Sequence, residues 1–586
     1  MTSILDLYLL APTHLPNHTI GIHDANSNLL TVTDAKSQQT VYTYSNMNRT
    51  STRKDPLLNT ETYTYDNSGN LATILDRKSQ TTTYTYDPLN RRTKTTFQDG
   101  TSTNYTYDAG NRITQVQEKN SVGTVAATIT RAYDGLDRLT QEVTPQGQID
   151  YTYDNASRRA TMTVAGQPQV TYTYDNANRL TGITQNANTV TIGYDDADRW
   201  TSVTYPNTNK IEYGYNAASE LTSLTYKQGV TTLGDLTYTY DASGNRIKTG
   251  GSFARTILPP ALTTTDYNAN NQQLTFGTST ETYDLNGNLA TSTDAGVTTT
   301  YTWNARNQLT GISKTGFTAS FTYDSFGRRT GRTVSGTVTN YVYDGLNPVQ
   351  EKNGGTVTAN LLTGLGIDEF FTRTDGVGVR ALLSDALGST VALGDGSGTL
   401  QTQYTYEPFG FVSQTGSAST SSYKYTGRED DGTGLYYYRA RYYQPRFQRF
   451  IAEDPIGLRG GINVYRYSNN NAILFADPLG LFEIKVSVLI GMTNYQLDIP
   501  RLNISKEIVF PPNIGGGLQC KIGEPPPTPG EFSIDVGISR HLSVGTNFVP
   551  NPDFDGSNQS YLTQGLNLNI GVDLLRTGGA ISAPQR

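Results

Sequence analysis

Cysteine, histidine, methionine and tryptophan are nearly missing from this chain: of 586 residues one is cysteine (Cys520), four are histidine, four methionine and two tryptophan. One thiol excludes an internal disulfide framework. Four imidazoles are too few to spread histidine-dependent catalysis along the chain. His14, His18 and His23 have a spacing that could place metal ligands on a helix, but Pro16 falls between the first two, so the expectation is a solvated loop, with no metal and no other cofactor. No apolar run approaches the roughly 20 residues that a membrane-spanning helix needs. Residues 4–10 form a short apolar stretch with no basic residue ahead of it, which is not a recognisable secretion signal. The net charge of −7 is spread thinly and leaves no basic patch, so nucleic-acid binding by the repeats is not expected. Hydrophobic residues make up only 35% of the chain, too few for a thick aliphatic core.

What the chain does have is tyrosine, 40 residues against 18 phenylalanines, placed with a period. A tyrosine-aspartate step, two loose residues, then Gly or Asn, recurs as in Tyr65-Asp66-Asn67-Ser68-Gly69-Asn70 and Tyr240-Asp241-Ala242-Ser243-Gly244-Asn245. The aromatic of the step stands at 44, 65, 86, 107, 133, 153, 174, 194, 215, 240, 267, 283, 303, 323 and 343, mostly 20 or 21 residues apart. Such a period marks a repeat architecture. The run into each step alternates, as in Tyr63-Thr64-Tyr65 and Tyr172-Thr173-Tyr174, which is strand periodicity in strand-favouring residues. The Asp-x-x-Gly/Asn step supplies turn chemistry, because Asp bonds the following backbone and Gly or Asn tolerates a positive φ. One repeat is then about one β-hairpin, marginal alone and stable only when joined to its neighbours. The predicted fold is all-β: antiparallel hairpins that stack or join into one sheet, and a long sheet must coil or close on itself to cover its edges. Repeats begin almost at once after a lead-in over residues 1–40, so the chain reads as the C-terminal part of a larger array.

The pattern changes near residue 379. Tyr425-Thr426-Gly427-Arg428-Glu429-Asp430 is followed by Gly434-Leu435-Tyr436-Tyr437-Tyr438-Arg439-Ala440-Arg441-Tyr442-Tyr443, then by Asp454-Pro455-Ile456-Gly457-Leu458 and Asp477-Pro478-Leu479-Gly480-Leu481. With these motifs the chain resembles the RHS (YD-repeat) family over residues 40–481, with repeats at 41–378 and the repeat-associated core domain at 379–481. The resemblance implies a hollow β-shell plugged by the core domain and enclosing a variable C-terminal segment, here 482–586, as in polymorphic toxins and toxin-complex C subunits. It implies self-cleavage after Leu481, a secreted or cell-surface protein, and as partners a cognate immunity protein and components of a secretion machine. Three positions depart from the pattern: Gln444 where Asp is usual, Gln448 where Gly is usual, and Ala472 where proline follows the asparagines.

Peptide hydrolysis by carboxylates takes two of them close together, one as base toward water and one as acid toward the carbonyl. Asp454 and Asp477 stand 23 residues apart in matching contexts, with Gly460-Gly461 and Asn469-Asn470-Asn471 between them to turn the chain back. Spacing alone leaves two readings open, a catalytic pair or simply two Asp-Pro turns. The resemblance implies that Asp454 is catalytic and that Asp477 either shares the chemistry or positions the scissile bond. Arg449 and Arg459 are the nearby cations expected to support the pair. In the tail, residues 532–536 and 566–574 alternate strictly, and His541 is the candidate catalytic group should the tail be an enzyme. The same alternation suits a pore-forming hairpin. A rival reading makes the chain an adhesive, wall-associated protein whose tyrosine-rich surface binds carbohydrate and whose tail is inert; a third is a decayed gene fragment.

Overall fold

The computed structural model describes residues 20–255, 257–262 and 264–481, and beyond them the backbone of the short strands Ile484–Ser487, Thr493–Gln496, Ile508–Phe510, Leu542–Val544 and Leu568–Ile570. Among the described residues there is no α-helix, only short 3-10 turns. A 22-stranded sheet runs from Ile20–His23 to Arg246–Gly250, and a 16-stranded sheet from Thr265–Tyr267 to Val412–Gly416. Each strand pairs antiparallel with the next one in sequence, so both sheets are uninterrupted meanders. The predicted array of antiparallel hairpins is present, divided between two sheets. The break follows Gly250-Gly251 and contains Pro259-Pro260, which cannot donate to a ladder.

The repeat fixes its own geometry. In Tyr86-Asp87-Pro88-Leu89-Asn90-Arg91 the Asp87 carboxylate accepts the backbone N–H of Leu89 (2.9 Å) and of Arg91 (3.0 Å), and Asn90 takes φ 59°. A register shift lies directly before the step tyrosine (Thr64/Tyr65, Thr85/Tyr86, Thr173/Tyr174), and such a bulge re-aims one side chain. The re-aimed hydroxyl donates to a carbonyl of the preceding repeat: Tyr65 to Thr50, Tyr86 to Leu71, Tyr107 to Arg92. Where arginine closes the turn it binds its own aspartate and lies over the next repeat's tyrosine. Arg91 holds Asp87 at 2.7 Å and sits 4.7 Å from the Tyr107 ring; Arg158 holds Asp154 at 2.6 Å and sits 4.5 Å from Tyr174. Each such stack is worth about 0.5–1 kcal/mol at a partly exposed site. The intervening threonines face outward and pair across strands, as Thr64 with Thr73 at 2.6 Å.

The two sheets face each other. Ile183, Val190, Ile211, Leu221 and Leu224 of the first share a core with Val349, Leu383 and Ala392 of the second. Buried hydroxyls cross this interface: Tyr205 donates to the Leu382 carbonyl and Tyr226 to that of Ser384, both at 2.9 Å. Residues 417–481 fold into a knot of short strands, Glu429–Asp430, Tyr436–Tyr438, Arg441–Gln444 and Arg449–Phe450, around Tyr425, Tyr438, Tyr443, Phe450 and Tyr467. Charges dock this knot on both sheets. Arg329 of the second sheet, fully buried, binds Glu429 and Asp431. Arg77 of the first binds Glu453 at 2.8 Å and Asp55 at 2.9 Å, and Arg53 joins Glu61 at 3.1 Å. Burial alone would raise the pKa of Glu61; the charges of Arg53 and Arg77 outweigh it and hold the group below the ordinary carboxylate value.

Candidate active site at the paired aspartates

Asp454 opens a tight turn after the strand Arg449–Phe450. Its Oδ1 accepts the Ile456 N–H at 3.0 Å, its carbonyl accepts Gly457 N–H at 2.8 Å, and its own N–H goes to the Val464 carbonyl at 2.9 Å. Asp477 opens the matching turn after Phe475–Ala476, where its Oδ1 accepts the N–H of Leu481 at 3.0 Å. The two turns meet on one cation. Arg441 Nη2 lies 3.0 Å from Asp454 Oδ2 and 3.4 Å from Asp477 Oδ2, with all three side chains at most 3% exposed. Two desolvated carboxylates repel strongly, and a shared guanidinium offsets that. Arg441 also donates from Nη1 to the Val464 carbonyl at 2.9 Å and lies 3.7 Å from the centre of the Phe450 ring, so its fork has little freedom.

Arg441 was not among the residues expected from sequence; its signal was only a place in a tyrosine-rich strand. The two arginines expected from sequence flank the Asp454 turn. Arg449 donates to the Asn271 carbonyl at 2.8 Å and stacks on Tyr267, and Arg459 sits in the 3-10 turn Gly457–Gly460. His14, His18, Cys520 and His541 lie outside the described residues; His23 ends the strand Ile20–His23. No group of ligands able to hold a metal occurs among the described residues.

The segment ending at Leu481 is gripped carbonyl by carbonyl. Arg439 donates to Pro478, the Ala440 N–H to Leu479 at 3.1 Å, and Arg441 Nε to Gly480. Gly480 runs so close beneath that hairpin (φ 68°) that a Cβ would stand 2.4 Å from the Tyr438 carbonyl oxygen. The next carbonyl, that of Leu481, lies beside the same glycine as Asp454. A Cβ built on Gly460 would lie 2.2 Å from Asp454 Oδ2 and 3.0 Å from the Leu481 carbonyl oxygen, so carboxylate and carbonyl border one gap that a glycine leaves open.

The three departures are absorbed locally. Gln444 Oε1 accepts the Arg446 N–H at 3.2 Å, the bond a shorter Asp would make. Gln448 has φ 58°, a conformation that costs a side-chain-bearing residue about 1 kcal/mol and explains the usual glycine. Ala472 is buried against Tyr425.

Comparison with known proteins agrees with this architecture. The family model of the teneurin YD-shell matches residues 96–192 and 185–473, more than half of the chain, and that of the RHS repeat matches 65–100. Toxin subunit YenC1 of Yersinia entomophaga is 40% identical over 108 residues, 18% of this chain and 11% of that protein. Double-stranded DNA deaminase toxin A of Burkholderia cenocepacia is 31% identical over 224 residues, 33% of this chain and 15% of its own length. Toxin protein Tse5 of Pseudomonas aeruginosa is 36% identical over 99 residues, 17% of this chain and 8% of its own. The chain thus spans only a small part of these relatives. The crystal structure of TcdB2-TccC3 without its hypervariable C-terminal region aligns with 79% of this chain and 31% of its own, at a TM-score of 0.56 and 18% identity, a likeness of fold. The Photorhabdus luminescens Tc holotoxin pore aligns with 81% and 31%, at 0.54. With its hairpin repeats, its tyrosine-aspartate turns and the match over most of the two sheets, the chain belongs to the YD-shell family of RHS-repeat proteins.

Proposed function

We propose that the chain forms the closing part of a β-shell that carries residues 482–586 as an effector and releases them by cutting itself between Leu481 and Phe482. The observation that carries this reading is the common gap of Asp454 Oδ2 and the Leu481 carbonyl, with Asp477 holding the N–H of the same residue. Asp454 takes a proton from a water in the gap as its oxygen attacks the Leu481 carbonyl carbon. The Leu481–Phe482 bond then breaks, and Asp454 returns the proton to the departing amine. Asp477 and Arg441 orient carbonyl and base, which is where most of such a rate is won when the reacting peptide belongs to the same chain.

The chain's relatives include toxin proteins, which favours delivery against competitors or hosts, with an immunity protein and a secretion apparatus as partners. The adhesive alternative needs a free tyrosine face, whereas the step tyrosines spend their hydroxyls on neighbouring repeats. The test is to purify the full chain and its Asp454→Asn variant and measure intact masses. Two pieces from the first, the smaller beginning at Phe482, and one from the second support the reading. An uncut wild-type chain at acid and neutral pH overturns the cleavage. Expression of residues 482–586 with and without the adjacent downstream gene tests the effector: growth arrest is expected, relieved by His541→Ala if the tail is an enzyme. Harmlessness to both bacterial and eukaryotic cells overturns it.

A further inference from the structure

A second site lies at the joint of the two sheets with the C-terminal knot. A cavity of about 330 Å³ opens there, bordered by Lys36 from a turn of the first sheet, Tyr267 at the start of the second, and Phe447, Arg449, Arg466 and Asn470 of the knot. Among its described lining residues three are cations and none is an acid. Arg449 is 7% exposed, yet among the described residues no carboxylate lies within ion-pair distance of it or of Lys36. Its guanidinium has one carbonyl and the faces of Tyr267 and Tyr465, at 4.8 and 5.5 Å. Arg77, Arg329, Arg373 and Arg428, equally buried, each hold a carboxylate. A desolvated cation without a counter-charge is costly, and one facing a cavity is a standing demand for an anion.

The walls carry a further cost. Gln448, which lines the cavity, has φ 58°, and Ser468, Asn469 and Asn470 form three successive left-handed residues at 45°, 57° and 57°. None is glycine, and such conformations persist where the surroundings impose them, often at ligand sites.

We infer that this cavity binds a small ligand carrying one oxyanion, phosphate or carboxylate, on a sugar ring. The cations call for the oxyanion. The Tyr267 and Phe447 rings offer an apolar face to a pyranose, and the amides of Asn463 and Asn470 suit its hydroxyls. The volume sits at the low end of small-molecule sites, enough for one ring and one charged group. The site is separate from the aspartate pair, and its occupancy does not depend on cleavage.

Calorimetric titration of the full chain with glucose 6-phosphate, glucuronate, inorganic phosphate and neutral glucose tests this. Saturable binding of a charged sugar and none of glucose is expected. The tighter of the two charged sugars identifies the anion as phosphate or carboxylate. Lys36 is exposed, so Lys36→Glu keeps the fold, checked by thermal unfolding, and weakens binding at least about ten-fold. Phe447→Ala weakens the charged sugar but leaves inorganic phosphate within about two-fold. Binding of neither charged sugar tighter than about 10 mM, or binding that Lys36→Glu leaves unchanged, overturns the site. Inorganic phosphate binding as tightly as glucose 6-phosphate overturns the sugar ring.

Discussion

Gly460→Ala isolates the geometry on which the proposed self-cleavage depends. The new methyl group would stand 2.2 Å from Asp454 Oδ2 and 3.0 Å from the Leu481 carbonyl oxygen. Ordinary carbon–oxygen contact begins near 3.4 Å. The carboxylate must therefore retreat by about 1 Å or the turn must open. Retreat means stretching the bonds to Arg441 and to the Ile456 N–H, both 3.0 Å long. Overpacking of this size costs about 1–3 kcal/mol of stability, which a chain with so large an interface survives. Misplacing a reacting group by about 1 Å, and filling the space the water needs, slows cleavage by about 100-fold or more. Gly457→Ala is the control. It lies in the same turn at φ 60°, with nothing within 4 Å of its added Cβ, so it costs about 1 kcal/mol in backbone strain and leaves the gap open. Cleavage is followed by pulse labelling and gel separation of the two pieces, with denaturant unfolding alongside. Gly460→Ala cutting at the wild-type rate, or Gly457→Ala losing cleavage equally, refutes the placement of Asp454 against the Leu481 carbonyl.

Asp454→Asn should leave the chain whole by mass spectrometry, since an amide neither accepts the water's proton nor returns it. Arg441→Met should destabilise the C-terminal knot by about 3–5 kcal/mol in urea unfolding, because it strands two buried carboxylates, and adding Asp477→Asn should recover part of that loss. Gln448→Gly should raise stability by up to about 1 kcal/mol, seen as a higher urea midpoint, by relieving φ 58°. Glu61 has its folded pKa depressed, so its contribution is complete above the unfolded value, near pH 4.5, and is lost as pH falls through the folded value. Glu61→Gln should therefore be less stable at neutral pH and show a flatter loss of stability below about pH 4.5 in acid-unfolding curves.

The repeats were legible because each carries its whole instruction in a few adjacent residues. Alternating Tyr-Thr-Tyr sets the strand, and Asp with a following Gly or Asn sets the turn, so local chemistry and final structure coincide. The division into two sheets was announced only by a glycine pair and a proline pair, weak signals inside a strong period. The aspartate pair could be found from its matching Asp-Pro turns. Its cation could not: Arg441 reaches the pair because the hairpin around Arg439 folds onto residues 478–480, a contact between segments about 40 residues apart. Nearness in sequence pointed to Arg449, which borders a cavity, and to Arg459, in the turn that follows Asp454. The reading of His541 concerns residues beyond the described part.

Because Arg91, Arg112, Arg138, Arg158, Arg179 and Arg199 each grip their own aspartate and the ring of the repeat ahead, the repeats they close offer the same socket behind and the same plug in front. Such units are interchangeable. Unequal recombination between two copies of the tyrosine-aspartate step would lengthen or shorten the wall by whole hairpins and still join plug to socket at the seam. A lineage can thus resize such a wall without redesigning any part of it.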